Sequence, residues 1–221
     1  MSGRKGNPYE KIDARTKQAK AQGFPARSVF KLEEIDRRVK LFRGGQKVLD
    51  LGAAPGSWSL YASQKVGQGG RVLAIDLQEI GQAFPPNVKV AQGDALTLEN
   101  SELAQFAPYD VVLSDMAPNT SGTKVRDQAY SFELCMRALD VALALGKPGS
   151  HFVAKIFMSN DFQAARKVAG ARYERVQVIR PEGTRNVSSE VFIVGMGLKK
   201  PPTDADLPVA AAQEHPQKPK N

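Results

Sequence analysis

Short apolar runs alternate along the chain with longer stretches in which apolar side chains recur at helical spacing. The short runs are typical of strands buried on both faces of a sheet, and the longer stretches predict amphipathic helices. The predicted strands span residues 48–51, 71–77, 87–90, 109–115, 150–157, 173–179 and 190–195. The predicted helices begin near residues 28, 58, 127 and 161, and the first of them ends at Gly44-Gly45. This alternation predicts an α/β fold with a doubly wound, mostly parallel sheet.

The end of the pattern departs from this alternation, because the last two predicted strands are joined by a loop alone. Residues 181–189 hold no helical pattern between the strand at 173–179 and the strand at 190–195. Parallel neighbours need a long crossover connection, whereas antiparallel neighbours need only a loop. We therefore expect the last strand of the sheet to be antiparallel.

The turn after the first predicted strand is the strongest ligand signal in the chain. Gly52 and Gly56 bracket this tight turn, and Ser57 is a good N-cap for the helix that follows. Because glycine has no Cβ, a ligand can approach such a backbone closely. Pro55 has no N–H to donate to a diphosphate, which favours a cofactor such as S-adenosylmethionine over a dinucleotide. The alternative is a purely structural turn between strand and helix.

Three acids follow predicted strands at the edge where an open parallel sheet binds ligands. They are Asp76, Asp94 and Asp115. Asp76 follows Gly52 at the spacing at which an acid meets ribose hydroxyls in nucleotide-binding folds. Asp94 is placed to face an adenine amino group, and Asp50 to lie near the ammonium of S-adenosylmethionine. One such acid would usually cap a loop, but three at one edge favour a nucleoside site.

A second charged set is predicted at the same edge. Lys155 lies inside an otherwise apolar strand, where a lysine needs partners or an exposed strand end. Glu190 begins the antiparallel strand, so it starts at the edge where the parallel strands end. Asp115 ends the neighbouring strand, and Lys31 can reach this edge from the first helix. The alternative is a structural cluster of ion pairs that closes the top of the sheet.

The positive charge of the chain is concentrated near its N-terminus. The net charge is +8, and residues 1–47 alone hold thirteen lysines and arginines against five acids. A localised basic stretch ahead of a neutral body favours a polyanionic partner, a nucleic acid, over a merely solvated arm. We expect a basic flexible arm over residues 1–22, one domain over residues 23–198 and a disordered tail over residues 199–221.

Composition narrows the setting of the protein. The single Cys135 excludes an internal disulfide, and two histidines, His151 and His215, are too few for a Cys/His metal cluster. No apolar run is long enough to span a bilayer, and the N-terminus has no apolar signal core. We therefore expect a soluble, cytoplasmic, monomeric protein without a metal.

Several motifs occur in an order that resembles a known family. They are Arg27-Ser-Val-Phe-Lys31, Asp50-Leu-Gly-Ala-Ala-Pro-Gly56, Leu113-Ser-Asp-Met-Ala-Pro-Asn119, Lys155-Ile-Phe and Ser189-Glu-Val-Phe. Over roughly residues 24–198 the chain resembles the FtsJ-like ribosomal RNA large-subunit 2′-O-ribose methyltransferases. The resemblance implies a Rossmann-like S-adenosylmethionine-dependent methyltransferase fold. It also implies methylation of the 2′-oxygen of a ribose, in a uridine of large-subunit (23S) ribosomal RNA.

The resemblance also assigns site residues. It implies a catalytic tetrad of Lys31, Asp115, Lys155 and Glu190. It implies S-adenosylmethionine contacts from Gly56, Trp58, Asp76, Asp94 and Asp115.

Alternatives to this interpretation remain open at the level of sequence. Lys155 can act as the general base for the 2′-hydroxyl, or as a cation that orients this hydroxyl and stabilises negative charge on its oxygen. The main rival substrate is the ribose of transfer RNA. A catalytically silent RNA-binding protein would also explain the basic N-terminus. A nucleotide-dependent oxidoreductase shares the fold but would normally carry a G-x-G-x-x-G turn, which this chain lacks.

Overall fold

The computed structural model describes residues 8–118, 121–182 and 189–200, with side chains from residue 14 onward. The strands are β1 (Lys47–Leu51), β2 (Arg71–Asp76), β3 (Val88–Gln92), β4 (Tyr109–Ser114), β5 (Gly146–Phe157), β6 (Tyr173–Ile179) and β7 (Glu190–Leu198). The helices are α1 (Pro8–Ala21), α2 (Val29–Val39), α3 (Ser57–Val66), α4 (Asn100–Leu103), α5 (Lys124–Leu145) and α6 (Phe162–Arg172).

The strands form one seven-stranded sheet in the order β3-β2-β1-β4-β5-β7-β6. Strands β1 to β5 pair in parallel, while β7 runs antiparallel to both β5 and β6. The predicted fold class is therefore confirmed, including the antiparallel last strand. The strand order reverses direction beside β1, and ligands in open α/β sheets bind outside the carboxyl ends of strands at such a point.

Both faces of the sheet are covered by helices. In β1, Leu49 and Leu51 belong to the apolar cluster that includes α4, α5 and α6, whereas Val48 belongs to the cluster that includes α1, α2 and α3. This burial on both sides explains why the central strands β1, β2 and β4 are nearly continuous apolar runs, whereas the edge strands β3 and β6 are more exposed. It also means that a charged side chain inside a strand has to find its partners within the protein.

The N-terminal region differs from the flexible arm that we expected over residues 1–22. Residues Pro8–Ala21 form α1. Ala19 in this helix is fully buried, and the N–H of Phe24 donates to the Ala19 carbonyl at 2.9 Å. Ala19 is the one buried side chain among residues 14–21, the part of α1 whose side chains are described, and this gives no apolar period by which the pattern could reveal the helix. Residues 1–7 lie outside the described part of the chain.

Two helix ends also differ from expectation. Helix α2 ends at Val39 and not at Gly44-Gly45, because Lys40 turns the backbone into the left-handed region with a φ of 56°. Ser57 is the first residue of α3 and not its N-cap. Its hydroxyl instead accepts a hydrogen bond from the Ala26 N–H at 2.8 Å and donates to the Ala26 carbonyl at 3.0 Å. A contact 31 residues away therefore takes the place of the expected cap.

None of the helices in the described residues is long and apolar enough to cross a bilayer. The described residues contain no group of three or more histidine, cysteine, aspartate or glutamate side chains that could hold a metal ion. The predicted disordered tail lies outside the described residues from residue 201 onward.

Candidate active site

The carboxyl ends of β1, β2 and β4 open onto a cleft of about 520 Å³. Its walls come from the glycine turn after β1, from the segments after β2 and β3, from the segment after β4 and from α5. The residues that line it include Gly52, Ala54, Pro55, Asp76, Leu77, Gly93, Asp94, Asp115, Met116 and Tyr130. The predicted ligand residues Gly52, Asp76, Asp94 and Asp115 therefore share one cavity.

The glycine turn after β1 leaves no room for side chains. Gly52 has a φ of +76°, and a Cβ built there would lie 2.5 Å from the Met116 Cγ. Gly56 has a φ of +108°, and a Cβ there would lie 2.8 Å from the Phe84 Cζ. Both positions need glycine for backbone conformation as well as for space. Gly52 lines the cleft, whereas Gly56 is not among its lining residues and shapes the turn behind it.

Two of the strand-end acids hold the walls of the cleft in place. Asp76 accepts the Ala54 N–H at Oδ2 and the Gln78 N–H at Oδ1, both at 2.8 Å. Its carboxylate thus ties the glycine turn to the end of β2. Asp94 accepts the Leu96 N–H at Oδ1, at 2.9 Å. Each carboxylate oxygen can accept more than one hydrogen bond, so both acids keep capacity for a ligand.

Asp50 lies beneath the turn and is fully buried. Its Oδ2 accepts a hydrogen bond from the Ser59 hydroxyl at 2.6 Å. Its Oδ1 has no hydrogen-bond partner in the part of the chain that the structure describes. Burial, reinforced by the nearby charges of Asp115 and Asp76, raises the pKa of Asp50 to about 7, although the bond from Ser59 acts in the opposite direction. Asp50 does not line the cleft, so its expected place near an ammonium stays a prediction.

Lys155 is held against Asp115 at the side of the cleft. Its side chain is only 6% exposed, and its Nζ donates to the Asp115 carbonyl at 2.5 Å and to the Asp115 Oδ1 at 2.9 Å. The contact follows from the sheet register, since Ser114 of β4 pairs with Ala154 of β5. Asp115 directly follows Ser114 at the end of β4, and Lys155 follows Ala154 in β5, so the two side chains lie next to each other.

Lys31 and Glu190 form a second pair at the same edge. The Lys31 Nζ lies 2.7 Å from the Glu190 Oε1 and 5.8 Å from the centre of the Phe192 ring. In the antiparallel pairing of β5 with β7, Lys155 lies opposite Phe192 and Phe157 lies opposite Glu190. Glu190 is two residues along β7 from the residue that pairs with Lys155, so Lys155 and Glu190 lie on the same face of the sheet. All four residues of the predicted tetrad meet at this edge as two contact pairs.

Trp58, a predicted cofactor contact, is not among the residues that line the cleft. Its side chain is only 2% exposed and packs on Phe192 with ring centres 5.6 Å apart. Its indole N–H donates to the Ser28 carbonyl at 2.9 Å. Trp58 thereby joins the start of α3 to the segment just before α2, the helix that carries Lys31.

Sequence reasoning missed a buried acid that supports this edge. Glu34 on α2 is 7% exposed, and its Oε2 accepts the Glu182 N–H at 2.9 Å, just after β6. Its Oε1 accepts a hydrogen bond from Arg38 at 2.5 Å. The available signal was an acid next to Ile35 on the apolar face of the predicted helix. The loop that continues from Glu182 includes residues 183–188, which lie outside the described residues.

The sequence itself matches known proteins. The FtsJ-like methyltransferase family pattern matches residues 24–198. A Sorangium cellulosum protein named ribosomal RNA large subunit methyltransferase E is 65% identical over 193 residues, which cover 87% of this chain and 91% of that protein. A Nitratidesulfovibrio vulgaris protein of the same name is 51% identical over 186 residues, which cover 82% of this chain and 90% of that protein.

A solved structure from Plasmodium falciparum, described as a ribosomal RNA methyltransferase, has a similar fold. The TM-score is 0.67 at 22% identity, over 78% of this chain and 97% of that chain. At this identity the likeness concerns the fold alone, and it agrees with the Rossmann-like sheet. The family pattern and both relatives cover most of the present chain. The protein belongs to the FtsJ-like methyltransferase family.

Proposed function

We propose that this protein transfers a methyl group from S-adenosylmethionine to the 2′-oxygen of a ribose, in a uridine of large-subunit ribosomal RNA. The names of two relatives that are 65% and 51% identical support ribosomal RNA as the substrate. The motifs quoted above support the 2′-oxygen as the acceptor. Asp115 belongs both to the cleft and to the pair with Lys155, and this shared position carries the proposal.

The cleft suits S-adenosylmethionine. Its volume of about 520 Å³ lies within the range of small-molecule sites. Gly52 keeps one wall open to close approach, and Asp76 and Asp94 offer acceptors to ribose hydroxyls and to an amino group. Pro55 in the same wall has no N–H for a diphosphate. When bound, S-adenosylmethionine supplies an electrophilic methyl group.

Lys155 acts on the 2′-hydroxyl of the RNA. The Lys155 Nζ donates to the carbonyl and to the Oδ1 of Asp115, which fixes its position beside the cleft. A neutral amine has two N–H bonds and one lone pair, so a neutral Lys155 can keep both contacts while its lone pair takes the proton from the 2′-hydroxyl, an effect typically worth ~10²–10⁴-fold in rate. Alignment of the hydroxyl with the cleft can contribute as much as ~7–11 kcal/mol to lowering the barrier.

The pair of Lys31 and Glu190 holds the other side of the reacting ribose. Lys31 is partly exposed, with 20% of its side chain accessible, and lies against the ring of Phe192. Its ammonium offers a positive charge near the 2′-oxygen while Glu190 keeps it in place. Side chains that are positioned before substrate binds stabilise charge without reorganising during the reaction.

Methyl transfer from labelled S-adenosylmethionine to RNA tests the proposal. RNA from cells that lack this protein should accept label in large-subunit ribosomal RNA, and nuclease mapping should place it as a 2′-O-methyl group on uridine. The reaction should proceed in a chelator. Label in transfer RNA would favour the rival substrate, label on a base would contradict the mechanism, and absence of label would contradict the function.

A further inference from the structure

A second concave surface lies between α2 and α3, and it shares no lining residue with the cofactor cleft. It encloses about 400 Å³. Its lining consists of Glu33, Asp36, Arg37, Lys40, Phe42, Tyr61 and Lys65. We refer to this surface as the α2–α3 crevice. Three of its seven residues are cations, and they come from α2, from the residue after α2 and from α3.

The acid at the base of the crevice is already compensated by the protein. Asp36 is 9% exposed and accepts hydrogen bonds from the Phe42 N–H at 3.1 Å and the Tyr61 hydroxyl at 2.9 Å. The Lys65 Nζ lies 3.7 Å from its Oδ2. Arg37 and Lys40 show no ion pair or hydrogen bond from their side chains to any residue that the structure describes, and both are exposed. The lining also holds the exposed acid Glu33, so three cations face two acids and the crevice has a net charge of +1, with Arg37 and Lys40 exposed to solvent.

Aromatic rings form part of the crevice wall. Phe42 and Tyr61 meet edge to face with ring centres 5.9 Å apart. The Lys65 Nζ lies 5.1 Å from the centre of the Tyr61 ring. Tyr61 is only 6% exposed, so its ring supports the crevice wall, and the groups that the crevice offers to a nucleic acid are cations that suit phosphates.

The backbone at Lys40 gives an independent indication. Lys40 is the only residue other than glycine with a positive φ in the part of the chain that is described. Its N–H closes α2 by donating to the Asp36 carbonyl at 2.7 Å. Glycine is the usual residue at such a helix end, since it adopts this conformation without strain. Lys40 adopts this conformation although it is unfavourable for a residue with a side chain. The position therefore places a cation at the rim of the crevice where glycine would be the usual residue.

We propose that the α2–α3 crevice binds the phosphate backbone of the substrate RNA, at a distance from the reacting ribose. The inference rests on the proposed function, because it takes RNA as the partner. Helix α2 connects the two places, with Lys31 at the catalytic edge and Lys40 at the crevice. At 1.5 Å per helical residue the two positions are about 13 Å apart along the helix axis. A substrate that reaches both must extend several nucleotides beyond the methylated one.

The test compares two double variants that remove the same charge. Lys40→Gly with Arg37→Ala removes the two crevice cations whose side chains have no partner among the described residues, and glycine keeps the left-handed backbone at residue 40. Arg166→Ala with Lys167→Ala is the matched control, since both residues are exposed on α6, on the opposite face of the sheet. The probe is an unmodified transcript of large-subunit ribosomal RNA, measured by fluorescence anisotropy over a range of salt concentrations.

We expect the crevice variant to bind the transcript about tenfold more weakly at low salt, with a salt slope shallower by roughly 1.4–1.8 for two lost phosphate contacts. The control should keep the affinity and slope of the unmodified protein, and both variants should bind S-adenosylmethionine normally. An equal loss in the control, or no loss in the crevice variant, overturns the inference. If the crevice variant binds the free transcript normally but binds an assembled ribosomal subunit more weakly, the inference is also overturned. That result would indicate that the crevice contacts a protein of the subunit. Failure of the unmodified protein to methylate RNA would instead reject the proposed function.

Discussion

The carboxyl edge of the sheet has two halves that place their charges differently. Around β1 and β2, the Asp76 carboxylate accepts hydrogen bonds from the backbone. Around β5 and β7, Asp115 and Glu190 are paired with lysines. The first arrangement fixes the shape of a cavity and leaves it open to a ligand. The second fixes the positions of charged side chains before any substrate arrives, as expected for groups that act on a reacting atom.

The two halves also differ in how completely their buried charges are compensated. Lys155 is 6% exposed and makes two contacts with Asp115. Asp50 is fully buried, and its carboxylate has one hydrogen bond within the described residues, from the Ser59 hydroxyl. Under the proposed function, the half around β5 and β7 is the catalytic half and should be sensitive to loss of a side chain. The half around β1 and β2 is the cofactor half and should be sensitive to pH.

The largest effect is expected at Lys155. Lys155→Ala should lower the single-turnover rate of methyl transfer roughly 10³-fold, because the proton acceptor is lost. Binding of S-adenosylmethionine and RNA should remain. Lys155→Arg should also fail, since a guanidinium stays protonated and cannot take a proton. Rapid-quench measurements with labelled S-adenosylmethionine would give these rates.

Lys167→Ala on α6 is the control for these rates, and it should react normally. Near-normal chemistry in Lys155→Ala would show that this residue is not catalytic. If Lys155→Arg reacts at a substantial rate while Lys155→Ala does not, Lys155 acts as an orienting cation and another group removes the proton.

The next effect is a pH dependence of stability that originates at Asp50. The pKa of Asp50 is raised from its ordinary value of 3.8 to about 7 in the folded protein, so the folded state retains a proton that the unfolded state loses. Stability from this group is present below about pH 4 and is lost as the pH rises to about 7. At ~1.4 kcal/mol per pKa unit, the loss can reach about 4 kcal/mol.

Asp50→Asn should remove this dependence and therefore gain stability over the unmodified protein as the pH rises from 4 to 8. Urea unfolding at several pH values measures the difference between the two proteins. Parallel pH profiles for both would show that Asp50 is not the titrating group.

The cofactor half depends on a hydrogen-bonded carboxylate at Asp76. Asp76→Ala leaves the N–H groups of Ala54 and Gln78 without their acceptor and releases the glycine turn. We expect roughly 10²-fold weaker binding of S-adenosylmethionine, from two hydrogen bonds to a charged group. Calorimetry in a chelator measures it. Asp76→Asn keeps one acceptor oxygen and should lose less affinity, and undiminished binding in Asp76→Ala would contradict the assignment.

The smallest effect is expected at Glu34, which supports the catalytic half from α2. Glu34→Ala removes the acceptor of the Glu182 N–H and the partner of Arg38, which should cost about 1–2 kcal/mol of stability. Glu33→Ala is a matched control on the same helix, where an exposed acid should change stability by less than about 0.5 kcal/mol. Thermal unfolding of the two variants gives the comparison. Equal melting temperatures would show that the Glu34 contacts contribute nothing.

Much of the fold could be predicted because its central strands are buried on both faces. That burial turns β1, β2 and β4 into apolar runs that a pattern reveals, and the topology then places the residues after them at one edge. For this reason the sequence could predict which charged residues lie together at that edge, namely Asp115, Lys155, Glu190 and Lys31. Prediction failed where a single long-range contact decides the outcome. Helix α1 buries Ala19 against the body of the protein, and Ser57 bonds Ala26 where a local cap was expected.

The hydrogen-bond partners of buried polar groups also could not be predicted from the pattern of apolar and polar residues. Glu34 binds the backbone of Glu182, 148 residues away. Trp58 binds the carbonyl of Ser28, 30 residues earlier in the chain. Neither contact leaves a local period, because the two partners belong to different elements of the fold.

The position of β7 has a consequence for the order in which the protein is completed during synthesis. This strand comes last in the chain among the described strands, yet it is inserted between β5 and β6. Until residues 190–198 leave the ribosome, β5 and β6 each present an unpaired edge of the kind that invites wrong pairing. Glu190 arrives with that strand, so the nascent chain closes its sheet and receives the partner of Lys31 in a single late event.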